Sequence, residues 1–174
     1  MRCLRFGFRL SKRKEAFKSY SYSMNKRFLV IDDDSDDREL FSEALASVDP
    51  EIVCDQATDG AEALKRLTAQ EIDKPDIVFL DINMPVMNGW QFLMRLKSED
   101  SYKNIPVIVY TTSSNLKDKL IADDLGALCF ITKPHAFGRL KNMLGIVVMH
   151  VNARSFVGIC DEVHALGDMG PRPN

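Results

Sequence analysis

The sequence has few of the residues that build metal clusters or disulfide frameworks. Its four cysteines lie far apart, none forms a CxxC pair, and none has a histidine at metal-ligand spacing: they are Cys3, Cys54, Cys129 and Cys160. Structural zinc sites and disulfide frameworks need closer patterns, so we predict reduced thiols and a cytoplasmic protein. The chain also lacks any run of about 18 apolar residues, which argues against a transmembrane helix.

Basic residues are concentrated in the N-terminal segment, and the rest of the chain carries more acidic than basic residues. Residues 1–27 hold nine basic residues and one acidic residue, a net charge of +8, which leaves −10 for the rest of a chain whose net charge is −2. An acidic body argues against nucleic-acid binding by the folded part. We predict that residues 1–25 form a loosely ordered basic extension. A targeting peptide, an arm that contacts a partner or membrane, and an extension upstream of a start at Met24 all stay open.

Short apolar segments alternate with segments of helical period along residues 26–149. The 174 residues, 45% of them hydrophobic, suffice for one domain with a sizeable core. Strands are predicted near residues 28–31, 52–54, 78–80, 107–111 and 128–131, each followed by apolar residues at helical spacing. Five strands alternating with five helices predict an α/β fold with a parallel sheet covered on both faces. Residues 150–174 lose this period and are predicted to be a C-terminal tail.

Polar side chains stand where four of these strands end. Asp32 and Asp33 follow strand one, Asp81 follows strand three, Thr111 ends strand four and Lys133 follows strand five. The carboxyl ends of parallel strands share one edge of a sheet, where ligands bind. Clustered carboxylates attract a hard cation such as Mg²⁺, while a lysine and a hydroxyl can hold an incoming oxyanion. Together they indicate a phosphoryl acceptor, although Asp81 alone would equally suit a helix cap.

The order of these motifs resembles the receiver domain of bacterial response regulators. The motifs are Asp-Asp, then Asp-x-x-Met-Pro-x-x-x-Gly, then Thr at a strand end, then Lys-Pro, and the resemblance covers about residues 26–149. It implies a flavodoxin-like, doubly wound five-stranded parallel sheet of order 2-1-3-4-5 with five helices. It also implies that Asp81 accepts the phosphoryl group. Mg²⁺ would be bound by Asp33, Asp81 and the backbone carbonyl of Asn83, with Asp32 acting through water.

Further roles follow from the same resemblance. Lys133 would pair with Asp81 and later with the phosphoryl group, and the peptide bond after Lys133 would be cis. Thr111 would turn inward to bond the phosphoryl group while Phe130 swings from an exposed to a buried position. Asn83 and Ser113 would influence how fast the acyl phosphate hydrolyses.

The resemblance also implies partners. The phosphoryl donor would be a sensor histidine kinase or a phosphotransfer protein. Because no output domain is recognisable after the receiver, we expect a stand-alone receiver that signals by contact, through residues 116–149. The sequence of residues 36–40 resembles that of single-domain receivers paired with sensor kinases, including phytochrome-type kinases. His135 replaces the apolar residue expected after Lys-Pro, which bears on kinase docking.

Three alternatives compete with a phosphorylated receiver. The chain could be a receiver-shaped binding module that needs no phosphorylation, or a phosphohydrolase with an aspartyl nucleophile on strand one. The acidic residues after strand one also imitate an EF-hand calcium loop. That loop needs Gly where Asp37 stands, and a helix rather than a strand before it.

Overall fold

The computed structural model describes residues 25–168. The basic extension predicted for residues 1–25 lies almost wholly outside the described residues, as does the end of the chain from residue 169. Among the described residues, no helix is both long and apolar enough to cross a membrane.

A five-stranded parallel sheet forms the centre of the fold. Its strands pair in the order β2-β1-β3-β4-β5, as predicted, so β2 and β5 are the edge strands. The apolar side chains of β1 and β3 point to both faces and are buried on both, which is typical of a parallel sheet between two helical layers. The strands are β1 Arg27–Ile31, β2 Val53–Ala57, β3 Ile77–Leu80, β4 Val107–Thr111 and β5 Cys129–Thr132.

Helices cover the two faces of the sheet. The helices are α1 Ser35–Val48, α2 Gly60–Thr68, α3 Gly89–Ser98, α4 Leu116–Asp124, α5 Phe137–Ala153 and α6 Ile159–Asp168. One core lies between the sheet and α1 and α5, and includes the buried Phe41 and Leu144. The other lies beneath α2 and α3, and includes Leu67 and Phe92. A small third cluster joins α4 to β4, to β5 and to Ile82 in the loop after β3.

Helix caps at the carboxyl edge of the sheet begin the helices close to the strand ends. The carboxylate of Asp34 accepts hydrogen bonds from two backbone amides in the first turn of α1, those of Asp36 and Asp37. Asn88 and Gln91 form a capping box at the start of α3. Helix α1 therefore begins four residues after the end of β1, whereas a loop of eight residues separates β3 from α3.

The sixth helix corrects the predicted count of five helices and the predicted tail from residue 150. Helix α5 continues to Ala153 and ends at Arg154, which has a left-handed backbone (φ 52°). After a second reversal at Gly158 (φ 80°), α6 buries Ile159 and Val163. Ile159, Val163 and Leu166 recur at helical spacing, but so short a helix is marginal by itself, and tertiary contact supplies most of its stability.

Candidate functional site

The structure brings the polar strand-end residues to one edge of the sheet. The amide of Asp81 donates a hydrogen bond to the carbonyl of Ile31 (2.9 Å), which joins the end of β3 to the end of β1. The amide of Lys133 donates to the carbonyl of Thr111 (2.8 Å), which joins the ends of β5 and β4 in the same way. Backbone pairing therefore positions these side chains.

Three carboxylates converge at this edge. One oxygen from each of Asp32, Asp33 and Asp81 lies within 4.8 Å of the others. Asp32 and Asp81 are buried, at 1% and 6% exposure, whereas Asp33 faces solvent. Burial raises the pKa of Asp32, the charge of Asp81 adds to that rise, and the bond from Lys133 opposes it. The three groups repel one another, and a cation bound between them would relieve that repulsion.

The carboxylate of Asp81 does not have hydrogen-bond partners for both of its oxygens. Its Oδ1 is buried and has no hydrogen-bond partner within the protein. A buried polar atom without a partner costs on the order of 1–3 kcal/mol, so such atoms usually have a function or an external partner. A set of oxygen ligands that includes one carboxylate oxygen without a protein partner suits a hard divalent cation such as Mg²⁺. The same arrangement leaves an oxygen of Asp81 available as a nucleophile. The residues present therefore fit the metal that the sequence predicted.

Gly89 holds the loop after β3 against this site. A Cβ atom at residue 89 would lie 2.7 Å from the Cα of Ile82 and would also collide with the main-chain oxygen of Asp81. Only glycine allows α3 to begin so close to the end of β3. The glycine of the Asp-x-x-Met-Pro-x-x-x-Gly motif is thus explained by close backbone approach.

Lys133 bonds to different acids from the one predicted. Its Nζ donates to Oδ2 of Asp32 and to Oδ2 of Asp37, each at 2.6 Å, instead of pairing with Asp81. Burial alone lowers the pKa of Lys133, but the two hydrogen bonds and the charges of Asp32 and Asp81 outweigh it and raise that pKa. Asp37 is the residue that the sequence analysis missed. Asp37 shares the first turn of α1 with Asp36, so its position in the sequence did not single it out.

Thr111 and Phe130 lie beside the site with different surroundings. Thr111 is fully buried, and its Oγ1 accepts a 3.4 Å hydrogen bond from the amide of Ser113. Phe130 is buried at 7% exposure and packs against Ile82, the residue after Asp81. The ring of Phe130, predicted to swing between an exposed and a buried position, is therefore in the buried position in this structure.

The remaining predicted residues lie around the rim. Asn83 is exposed in the loop after Asp81, and His135 is exposed in the loop before α5. The hydroxyl of Ser113 donates to Asp118 in α4 (2.5 Å), so it is engaged in holding the start of that helix. The prediction of a cis peptide bond after Lys133 is wrong, because all peptide bonds among the described residues are trans.

Comparison with known proteins places the chain in a family. Residues 28–145, more than half of the chain, match the family model of the response regulator receiver domain. The chain is 32% identical over 122 residues to chemotaxis protein CheY1 of Helicobacter pylori, covering 70% of this chain and 96% of that protein.

Solved structures of similar fold include two phytochrome-linked or metal-bound regulators. The phosphorylated cyanobacterial phytochrome response regulator RcpA has a TM-score of 0.69 and 29% identity, over 75% of this chain and 96% of that one. The Mn²⁺-bound response regulator Rcp1 has a TM-score of 0.61 and 28% identity, over 69% of this chain and 89% of that one.

Other curated relatives are much longer than the matched region. The chain is 41% identical over 106 residues to a protein-glutamate methylesterase/protein-glutamine glutaminase of Myxococcus xanthus. The matched region covers 61% of this chain but only 29% of that protein. It spans less than half the length of several such relatives. Because the family model matches more than half of its length, this chain belongs to the response regulator receiver domain family.

Proposed function

We propose that this chain accepts a phosphoryl group on Asp81 from the phosphohistidine of a sensor histidine kinase or phosphotransfer protein. Receiver domains are signalling domains, and we propose that this one signals in the cytoplasm by contact with another protein. The observation that carries the proposal is the buried Asp81 Oδ1, which has no protein partner and lies within an acidic triad.

The transfer uses Asp81 as a nucleophile. A carboxylate oxygen of Asp81 attacks the phosphorus, a P–O bond forms, and the P–N bond to the donor imidazole breaks. The imidazole leaves with the electron pair of that bond and is protonated by solvent. The product is an acyl phosphate at the sheet edge, where Thr111 and Lys133 would hold its oxygens.

Lys133 must change partners for this role. In the structure its ammonium is held by Asp32 and Asp37. A phosphoryl group carries up to two negative charges and three acceptor oxygens, so it competes for the ammonium more strongly than either carboxylate. We therefore propose that Lys133 turns to the phosphoryl group after transfer, and that Thr111 and Phe130 adjust with it.

The metal proposed for this site is Mg²⁺. Asp33, Asp81 and the backbone carbonyl of Asn83 would hold it directly, and Asp32 would do so through water. When bound, it supplies positive charge that neutralises the incoming phosphoryl oxygens. The oxygen donor set supports this assignment, and the similar regulator Rcp1 was solved with Mn²⁺ bound. Asn83 and Ser113 are proposed to influence the lifetime of the acyl phosphate.

The test is covalent labelling of the full chain by acetyl phosphate with Mg²⁺. We expect wild type to gain one phosphoryl group by intact mass, with the base lability of an acyl phosphate. Asp81→Asn should gain none. Asp36→Asn is the matched control, because Asp36 is an exposed aspartate at the same edge, outside the triad; it should label like wild type.

Two results would contradict the proposal. Labelling that persists in Asp81→Asn would move the acceptor elsewhere, and a phosphoryl group on Asp32 would favour a strand-one nucleophile. No labelling of wild type by acetyl phosphate or by a histidine kinase would favour a binding module that works without phosphorylation. Chelation of Mg²⁺ should abolish labelling, and undiminished labelling in chelator would remove the metal from the mechanism.

A further inference from the structure

Helix α6 covers the edge strand that leads to Lys133. It packs on β5 and on α5, with Ile159 and Val163 buried to 1% and 5% exposure. Both side chains belong to the same core as the residues beneath α1 and α5. The helix is therefore part of the packed domain in this structure.

Side chains of α6 also bond to the main chain of β5 and its approach. The Nε2–H of His164 donates to the carbonyl of Phe130 (2.9 Å), and the thiol of Cys160 donates to the carbonyl of Leu128 (2.8 Å). A third contact links α6 to α5, because Nε2 of His150 lies 3.3 Å from Oε1 of Glu162. These polar contacts depend on where β5 and α5 lie.

The same strand connects α6 to the acidic site. Lys133 follows β5 directly, and Phe130 packs on Ile82 beside Asp81. Val163 and Leu166 of α6 line a cavity of about 280 Å³ together with Lys133 and its neighbours in the loop before α5. A movement of Lys133 or of the Phe130 ring thus acts on the surface against which α6 rests.

We propose that α6 is a displaceable cover of β5, and that phosphoryl transfer to Asp81 weakens its docking. The proposal rests on the proposed function. In the unmodified structure, the contacts of α6 match the position that β5 takes while Lys133 is bonded to Asp32 and Asp37. A phosphoryl group that draws Lys133 away shifts the end of β5. The docked state of α6 then loses contacts, whereas the undocked state has no such contacts to lose, so the equilibrium moves toward undocking.

Undocking would open a surface for signalling. Cys129 of β5 is buried, and it lines a second cavity, of about 160 Å³, with Cys160 and His164 of α6. Burial raises the pKa of the Cys129 thiol, and contact with the Cys160 thiol adds to the rise, so the thiol is protected while α6 is docked. Cys54 stands on β2, at the opposite edge of the sheet, and is an internal control.

The experiment is hydrogen exchange of the full chain, read on peptides from α6, with and without acetyl phosphate and Mg²⁺. The extent of phosphorylation is measured by intact mass on the same samples. We expect amide exchange in α6 to accelerate by about thirtyfold on phosphorylation, the middle of the range for coupled sites. N-ethylmaleimide should then modify Cys129 faster, with the rate at Cys54 unchanged. Asp81→Asn should show none of these changes.

Two variants test whether faster exchange in α6 comes from the loss of its specific contacts with β5 or from a general destabilisation of the helix. His164→Ala removes the bond to the Phe130 carbonyl and should accelerate α6 exchange without phosphorylation. Ala165→Ser alters the adjacent, exposed position of the same helix and should not. A phosphoryl adduct with unchanged or slower α6 exchange would overturn this inference alone. Absence of any adduct on wild type would overturn the proposed function, and this inference with it.

Discussion

Asp81→Asn is expected to make the metal-free protein more stable, although it removes the reactive group. The carboxylate oxygens of Asp32 and Asp81 lie within 4.8 Å of each other and both residues are buried. At that distance, two unit charges repel by about 3 kcal/mol at an effective dielectric constant of about 20. Lys133 attracts Asp81 and offsets part of this repulsion. The substitution should therefore raise the free energy of unfolding by about 1–2 kcal/mol.

Mg²⁺ should reverse the order of stabilities. A cation that binds only the folded state adds about 2.7 kcal/mol at a concentration about one hundred times its Kd, which exceeds the predicted difference. Wild type should gain this stabilisation, whereas Asp81→Asn, which lacks one of the three carboxylates, should gain much less. Because Asp36 is exposed and outside the triad, Asp36→Asn should follow wild type in both conditions.

Urea unfolding followed by circular dichroism, in EDTA and then in Mg²⁺, measures both effects. The reasoning about charge repulsion is refuted if Asp81→Asn is less stable than wild type in EDTA. Equal stabilisation of both proteins by Mg²⁺ would show that the metal binds outside the triad.

Two further predictions concern the loop after β3 and the lysine. Gly89→Ala should lower the free energy of unfolding by about 2 kcal/mol, because its Cβ meets the backbone of Asp81. Gly145→Ala in α5 should instead raise it by about 0.5–1 kcal/mol, because that Cβ meets no atom within 4 Å; equal effects in thermal unfolding would contradict the packing argument. Lys133→Met should destabilise by about 2 kcal/mol at neutral pH, because Asp32 loses its buried partner. The pKa of Lys133 is raised from 10.5 in the folded protein, so this difference should be complete below pH 10.5 and shrink as the pH rises through the folded value. A pH-independent difference would show that Lys133 acts by packing alone.

Much of the site followed from the position of polar residues in the chain. Asp32, Asp81 and Lys133 each come directly after an apolar strand, and parallel strands must end at a common edge. Apolar period alone therefore predicted both the sheet and the convergence of these groups. Phe130 of β5 was identified through the family resemblance, which implies an aromatic switch at that position.

Other features depend on contacts between distant segments. Asp37 bonds to Lys133, 96 residues away, and nothing in the local sequence distinguishes it from the other acids that begin α1. Helix α6 exists because Ile159 and Val163 meet a surface made by β5 and α5. Isolated, a helix of 10 residues would be marginal in water, so its own sequence predicts it poorly.

By itself, the sequence determined the order of strands and helices and which acids reach the sheet edge, because the periods of burial and the positions of strand ends are local properties. Only the tertiary structure decided which carboxylates hold Lys133, that Asp81 keeps an unpartnered oxygen, and that α6 covers β5. These features depend on distances between side chains far apart in the chain. Packing sets those distances, and no short stretch of residues contains them.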